Sequence, residues 1–168
     1  LITTVEEFRT LLAADPAGKF KLGNNIDFKG EYVAKVDATS LVATFSGEFD
    51  GQGYAIYNAK LPGGWNGHSL FNVNTGTIKN DAFINVINSP VWTNTGIIGD
   101  NKGLIENVYV DFVVATDGRE YGFSGVVAGY SGIGIMRNCI TNIRLGDGLS
   151  VAPAFQGSIV GNANAWLG

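Results

Sequence analysis

The sequence predicts an all-β chain, a right-handed parallel β-helix of five to six coils behind a short N-terminal capping helix. Three observations carry this. First, Gly53-x-x-Ile56-x-Asn58 recurs in looser form as Gly76-Thr77-Ile78-Lys79-Asn80, Gly103-Leu104-Ile105-Glu106-Asn107 and Gly134-Ile135-Met136-Arg137-Asn138, with 22, 27 and 31 residues between successive asparagines. Self-similarity on that scale marks a solenoid. Second, glycine-flanked apolar units precede the later corners: Gly96 to Gly99, Gly125 to Gly129 and Gly157 to Gly161, with Ser69-Leu70-Phe71 a divergent first copy. Third, the apolar alternation changes parity at each asparagine. Ile105 is apolar before Asn107, and Val108, Val110, Phe112 and Val114 follow it. A continuous strand cannot change faces in this way, so Asn58, Asn80, Asn107 and Asn138 are expected at stacked corners or bulges.

The elements follow in order. Thr4-Val5-Glu6-Glu7 reads as a capping box, and Val5, Phe8, Leu11 and Leu12 share one helical face. Asp15-Pro16-Ala17-Gly18 ends that helix, so residues 1–18 are expected to cover the first coil, with coils over 19–168 in a single domain. Phe20-Lys21-Leu22 and Ile26-Asp27-Phe28 alternate as two short strands, and residues 31–44 read as a weak strand and a loop. Phe45 to Asp50 alternates again, and Asp50-Gly51 turns into the Gly53-to-Asn58 unit. Further strands are expected at Phe83-Ile84, Val108 to Ala115, Ile140 to Leu145 and Ser158 to Val160, giving two short strands and two turns per coil. Asp117-Gly118 reads as a hairpin turn. Five or six coils at about 4.8 Å each would make a rod roughly 25 Å tall.

Composition narrows the function classes. Only 15% of the 168 residues are charged and nearly half are apolar, which excludes intrinsic disorder. The 24 glycines follow no three-residue period, which excludes collagen. A net charge of −4 with few, dispersed Lys and Arg argues against nucleic acid as a partner. No apolar run is long enough for membrane insertion. The single cysteine, Cys139, cannot form an intrachain disulfide and is expected as a small buried hydrophobe.

The opening helix, Phe20-x-Leu22 with Asn25-Ile26-Asp27-Phe28, and Phe45-x-Gly47-x-Phe49-Asp50-Gly51-x-Gly53 with the later glycine and asparagine units together resemble the GLUG-type β-helix repeats of bacterial surface proteins. These include the non-catalytic region that accompanies IgA-specific metallopeptidases. The resemblance covers nearly the whole chain and implies an extracellular adhesin or scaffold module, on a bacterial cell surface or secreted. Similar coils in phage fibres imply a virion structural protein as the alternative. Asp81 departs from the pattern, standing where an apolar residue is expected. The last glycine-flanked unit lacks a following Gly-x-Ile-x-Asn, so a piece of a longer chain is expected.

Little in the sequence points to catalysis. His68 is the only histidine, so zinc hydrolysis lacks its paired imidazoles, and a serine triad would need His68 from a Gly-rich loop without a nucleophile elbow. Asp100, Glu106, Asp111, Asp117, Arg119 and Glu120 could supply the carboxylates of a polysaccharide-acting β-helix enzyme, and equally a solvated surface. Asn72, Asn74, Asp100 and Asn101 offer only fragments of a calcium loop, and no cofactor or metal is expected. Trp65, Trp92, Tyr121 and Tyr130, in loops or near turns, are the binding candidates, because sugar rings stack on aromatic faces. The same residues could cover an edge or contact a neighbouring chain. The expected partners are therefore a surface glycan, a protein receptor or other copies of the chain in a homo-oligomer.

Overall fold

The computed structural model describes residues 1–34, 40–61, 69–88, 96–114, 127–130, 133–145 and 160–162. One helix, α1 (Val5–Ala14), opens the chain. Its capping box forms as expected: the Glu7 amide donates to Thr4 Oγ1 at 3.1 Å, and the Thr4 amide donates to Glu7 Oε2 at 3.2 Å. Donation from the Thr3 amide and hydroxyl to the same carboxylate holds Glu7 below the usual carboxylate range. Phe8 and Leu12 form the buried stripe. The Phe8 ring meets Phe28 and Phe49 edge-on at 5.5 and 5.8 Å, so the helix packs its apolar face onto the first rungs.

Thirteen strands follow among the described residues: β1 (Lys19–Lys21), β2 (Ile26–Asp27), β3 (Ser40–Phe45), β4 (Glu48–Asp50), β5 (Ala55–Tyr57), β6 (Ser69–Asn74), β7 (Thr77–Asn88), β8 (Ile98–Asn101), β9 (Leu104–Val114), β10 (Ala128–Tyr130), β11 (Ile135–Arg137), β12 (Ile140–Leu145) and β13 (Val160–Asn162). Every strand pairing described is parallel. One sheet runs β1-β4-β7-β5-β2 and continues through β9 to β11 and β12; the other runs β13-β10-β8-β6-β3. The chain alternates between the two sheets and returns one rung further along, making a parallel β-solenoid of about three turns.

Columns of inward residues fill the tube. Phe20, Phe49, Ile78, Ile105 and Met136 are in register across the first sheet, and Ile26, Ile56, Phe83 and Val110 form a second column. Val42, Phe71 and Ile98 face them from the other sheet. Most are 0–2% exposed, and each such side chain contributes about 1.5–3 kcal/mol through burial. Rungs approach closely because one corner carries glycine. A Cβ on Gly76 would lie 2.1 Å from the Gly47 carbonyl oxygen, an impossible contact for any other residue.

Two features differ from the sequence reading. Thr77 to Asn80 of the Gly76 unit and Phe83-Ile84 lie in one 12-residue strand, β7, and β9 is similarly long, because left-handed residues bend the strand without ending its pairing. The alternation read from Phe45 to Asp50 is two strands in different sheets: Phe45 ends β3, the weak strand read within 31–44, which pairs with β6 in the second sheet, whereas Glu48–Asp50 is β4 in the first.

Candidate functional site

The corner asparagines all adopt the left-handed conformation, with φ of 54° at Asn58, Asn80 and Asn107 and 51° at Asn138. Asparagine tolerates this region better than other residues with a Cβ. The side chains then bond along the tube: Asn138 Nδ2 donates to Asn107 Oδ1, and Asn107 Nδ2 to Asn80 Oδ1, each at 3.0 Å.

Asn58 does not belong to that stack, which corrects the register expected from the sequence. Asn80 Nδ2 donates instead to Asp50 Oδ1, at 3.1 Å, and Glu48–Asp50 is the segment paired with Thr77–Lys79. Gly47-Glu48-Phe49-Asp50 is therefore the earlier copy of the Gly76 unit. Asn58 stands in a second ladder, donating to Asp27 Oδ1 at 2.8 Å and accepting from Asn85 Nδ2 at 2.7 Å. Asn85 is also left-handed, with φ 56°. Both ladders begin at an aspartate in the same kind of turn: Asp27 Oδ1 accepts the Lys29 amide, and Asp50 Oδ1 accepts the Gln52 amide. A third, buried pair joins Asn74 Nδ2 to Asn101 Oδ1 at 2.8 Å in the second sheet.

The carboxylates behave as parts of these ladders. Donation from Asn58 holds Asp27 below the usual carboxylate range. Burial pushes Asp50 up, but the Gln52 amide, the Asn80 side chain and Lys79 more than offset it. Outward residues of the first sheet alternate in sign along one register line, from Lys21 through Asp50, Lys79 and Glu106 to Arg137. Lys79 Nζ lies 2.7 Å from Glu48 and 3.8 Å from Asp50, and Arg137 lies 3.8 Å from Glu106.

Asp111 closes the second ladder. The pairing of β7 with β9 slips between Phe83 and Val86, where Asn85 bulges. Across that slip the Asn85 amide donates to Asp111 Oδ2 at 3.1 Å. Arg144 grips both carboxylate oxygens, Nε to Oδ1 at 3.0 Å and Nη2 to Oδ2 at 2.6 Å, and Nη2 also donates to Asn85 Oδ1 at 3.1 Å. Asn142 adds a fourth donor at 2.8 Å. The guanidinium, with the Asn142 amide, holds Asp111 below the usual carboxylate range against its burial.

The residues named for polysaccharide chemistry are not gathered into one place. Glu106 and Asp111 share β9, whereas Asp100 is on β8 in the other sheet, 3.3 Å from Lys102. Asp117, Arg119, Glu120 and His68, and the turn expected at Asp117-Gly118, lie outside the described residues, as do Trp65, Trp92 and Tyr121. Tyr130 lies in β10, its backbone paired with Asp100 and Asn162. Cys139 is half-buried, and burial raises its thiol above the ordinary value.

An open groove of about 440 Å³ runs beside the glycine corner, lined by Ser46, Thr75, Thr77, Lys19 and Glu48 among others. Among the described residues no group of three His, Cys, Asp or Glu side chains is placed to hold a metal ion, and no helix is long and apolar enough to cross a membrane. Sequence reasoning missed Asp27, Asp50 and Asn85 as ladder members. The repeated step from Asp27 to Gly30 and from Asp50 to Gly53 was the available signal for the first two. Compared with family models, with characterised proteins and with solved structures, the chain shows no match.

Proposed function

We propose that the chain is an extracellular, non-enzymatic β-solenoid module that serves adhesion or scaffolding, on a bacterial surface or in secreted form, with a surface glycan or protein receptor as its partner. The observation that supports this most is where the polar side chains are used. Asp27, Asp50 and Asp111 each accept from their own corner or ladder, and the outward charges pair along the stack. Asp111 has donors on both oxygens, and Asp27 and Asp50 each use Oδ1 for a turn amide and a ladder asparagine; a carboxylate engaged by structural donors is poorly suited to proton transfer, which needs a group free to exchange its proton with a substrate. We read the whole rod as five to six coils, right-handed as parallel crossovers are, and the five strands of the second sheet support that reading. In this reading Trp65, Trp92, Tyr121 and Tyr130 offer the aromatic faces for sugar stacking.

The test is retention of the purified chain on a glycan array and on whole cells, beside the double variant Trp65→Ala, Trp92→Ala. Retention that falls at least roughly tenfold in the variant, with an unchanged far-ultraviolet spectrum, is the expected result. Release of new reducing or unsaturated sugar ends from the array would replace the reading with an enzymatic one, and no retention on any surface would remove it.

A further inference from the structure

Asp81 opposes the packing of the tube around it. It follows left-handed Asn80, where the strand changes parity, and so points inward at the position that Val108 fills in the next rung. It is 4% exposed. Oδ1 accepts the Ala82 amide at 2.8 Å, and Oδ2 is buried without a hydrogen-bond partner. The preceding rung packs directly against its backbone. A Cβ on Gly51 would fall 2.7 Å from both Cα and Cβ of Asp81, so only glycine leaves the space that this residue occupies.

The charges on the packed elements do not neutralise it. Asp50, at the end of β4, adds repulsion. Lys79, two residues away on the same strand, is engaged by Glu48 and Asp50, and Glu106 on β9 is beside Arg137. Burial above all, with Asp50 adding to it and the Ala82 amide opposing it only in part, lifts Asp81 well above the ordinary carboxylate range.

We propose that Asp81 is a proton-dependent latch: the tube closes around its neutral carboxylic acid, and loss of that proton to solvent loosens the Asp50-to-Gly53 corner and the rungs that meet there. The neutral acid leaves one polar atom unmet, whereas the anion would be an unpaired charge inside an apolar column, which is far less favourable. In the unfolded chain Asp81 titrates near 3.8. Between that pH and the folded value the folded chain holds the proton and the unfolded chain does not. The contribution to stability therefore falls as pH rises toward the folded value and is flat beyond it. The module is tightened by acid at this point and loosened by base, whatever ligand it carries.

The experiment is denaturant unfolding of the whole chain from about pH 4 to about pH 9, for the wild type and for Asp81→Asn, which keeps the shape and cannot ionise. The wild type should lose stability relative to the variant as pH rises, by up to roughly tenfold per pH unit in the unfolding constant, the slope of one proton. A carbon-13 titration of the Asp81 carboxyl in the wild type reads the same group without any substitution and should place its transition well above the ordinary carboxylate range. Parallel pH profiles in the two chains, or an ordinary transition for Asp81, would overturn the latch.

Discussion

A corner asparagine has two separable roles, to hold a left-handed backbone and to pass a hydrogen bond to the next rung. Asn107 does both, with φ 54°, one bond given to Asn80 and one received from Asn138. Asn107→Ala should lose both and destabilise the chain by about 2 kcal/mol, from the left-handed backbone of an alanine together with the broken ladder. Asn107→Gly keeps the backbone and should recover about half of that loss in the same denaturant titration. If the two variants are equal, the backbone term is negligible and the ladder bonds carry the corner. The parity change makes these corners legible in the sequence, because a strand that switches its buried face needs a residue outside the extended region. The register was less legible. Asp50 fills the place of an asparagine and is followed by a longer turn through Gln52 and Gly53, so Asn58 resembles the later units more closely than Asp50 does. Spacing cannot see that carboxylate and amide are interchangeable as acceptors at the start of a ladder.

At the level of elements, the point where β7 slips against β9 is held by a single ion pair with its neighbours. Arg144 on β12 reaches across β9 to Asp111 and on to Asn85, tying three rungs where the second ladder ends. Neither residue was readable as a pair from sequence, since 33 positions separate them and only the register brings them together. The depressed Asp111 carboxyl sets a sign for the pH response. A folded value below the unfolded one contributes stability that is present above the unfolded value, near 3.8, and is lost as pH falls through the folded value. Arg144→Met removes the guanidinium while keeping an unbranched side chain over the sheet. Acid unfolding of that variant should begin at a higher pH than in the wild type, and its stability near neutral pH should become less sensitive to salt. Coincident acid transitions would show that Asn142 and the Asn85 amide suffice to hold the carboxylate. The alternating row from Lys21 to Arg137 adds less. Pairs at a sheet surface add little to stability, and the value of the row lies more in disfavouring a one-rung slip, which would set like charges side by side.

For the molecule as a whole, a solenoid is stabilised rung by rung, so its two described ends need not be equally firm. At the first end α1 lays Phe8 and Leu12 over the column, and Ile2, Phe28 and Phe49 are 0–1% exposed. Toward the other, β11 and β12 pair with β9, and the residues continuing the inward columns, Met136, Cys139 and Ile143, are only partly buried. Ile133, Ile135 and Ile140 are 78%, 56% and 65% exposed there. Amide exchange should therefore be slowest in β7 and β9, which are paired on both sides, and faster in β11 and β12. Phe8→Ala tests the helix end. Removing that ring empties the contact with Phe28 and Phe49 and should destabilise the chain by about 3–5 kcal/mol, with exchange rising first in β1 and β4. Ile143→Ala should be milder, because its site is already half open, and its effect on exchange should stay within β9 and β12. If Phe8→Ala instead raises exchange evenly through every rung, the stack unfolds as one unit, and the helix acts on the whole tube and not only on the rungs it covers.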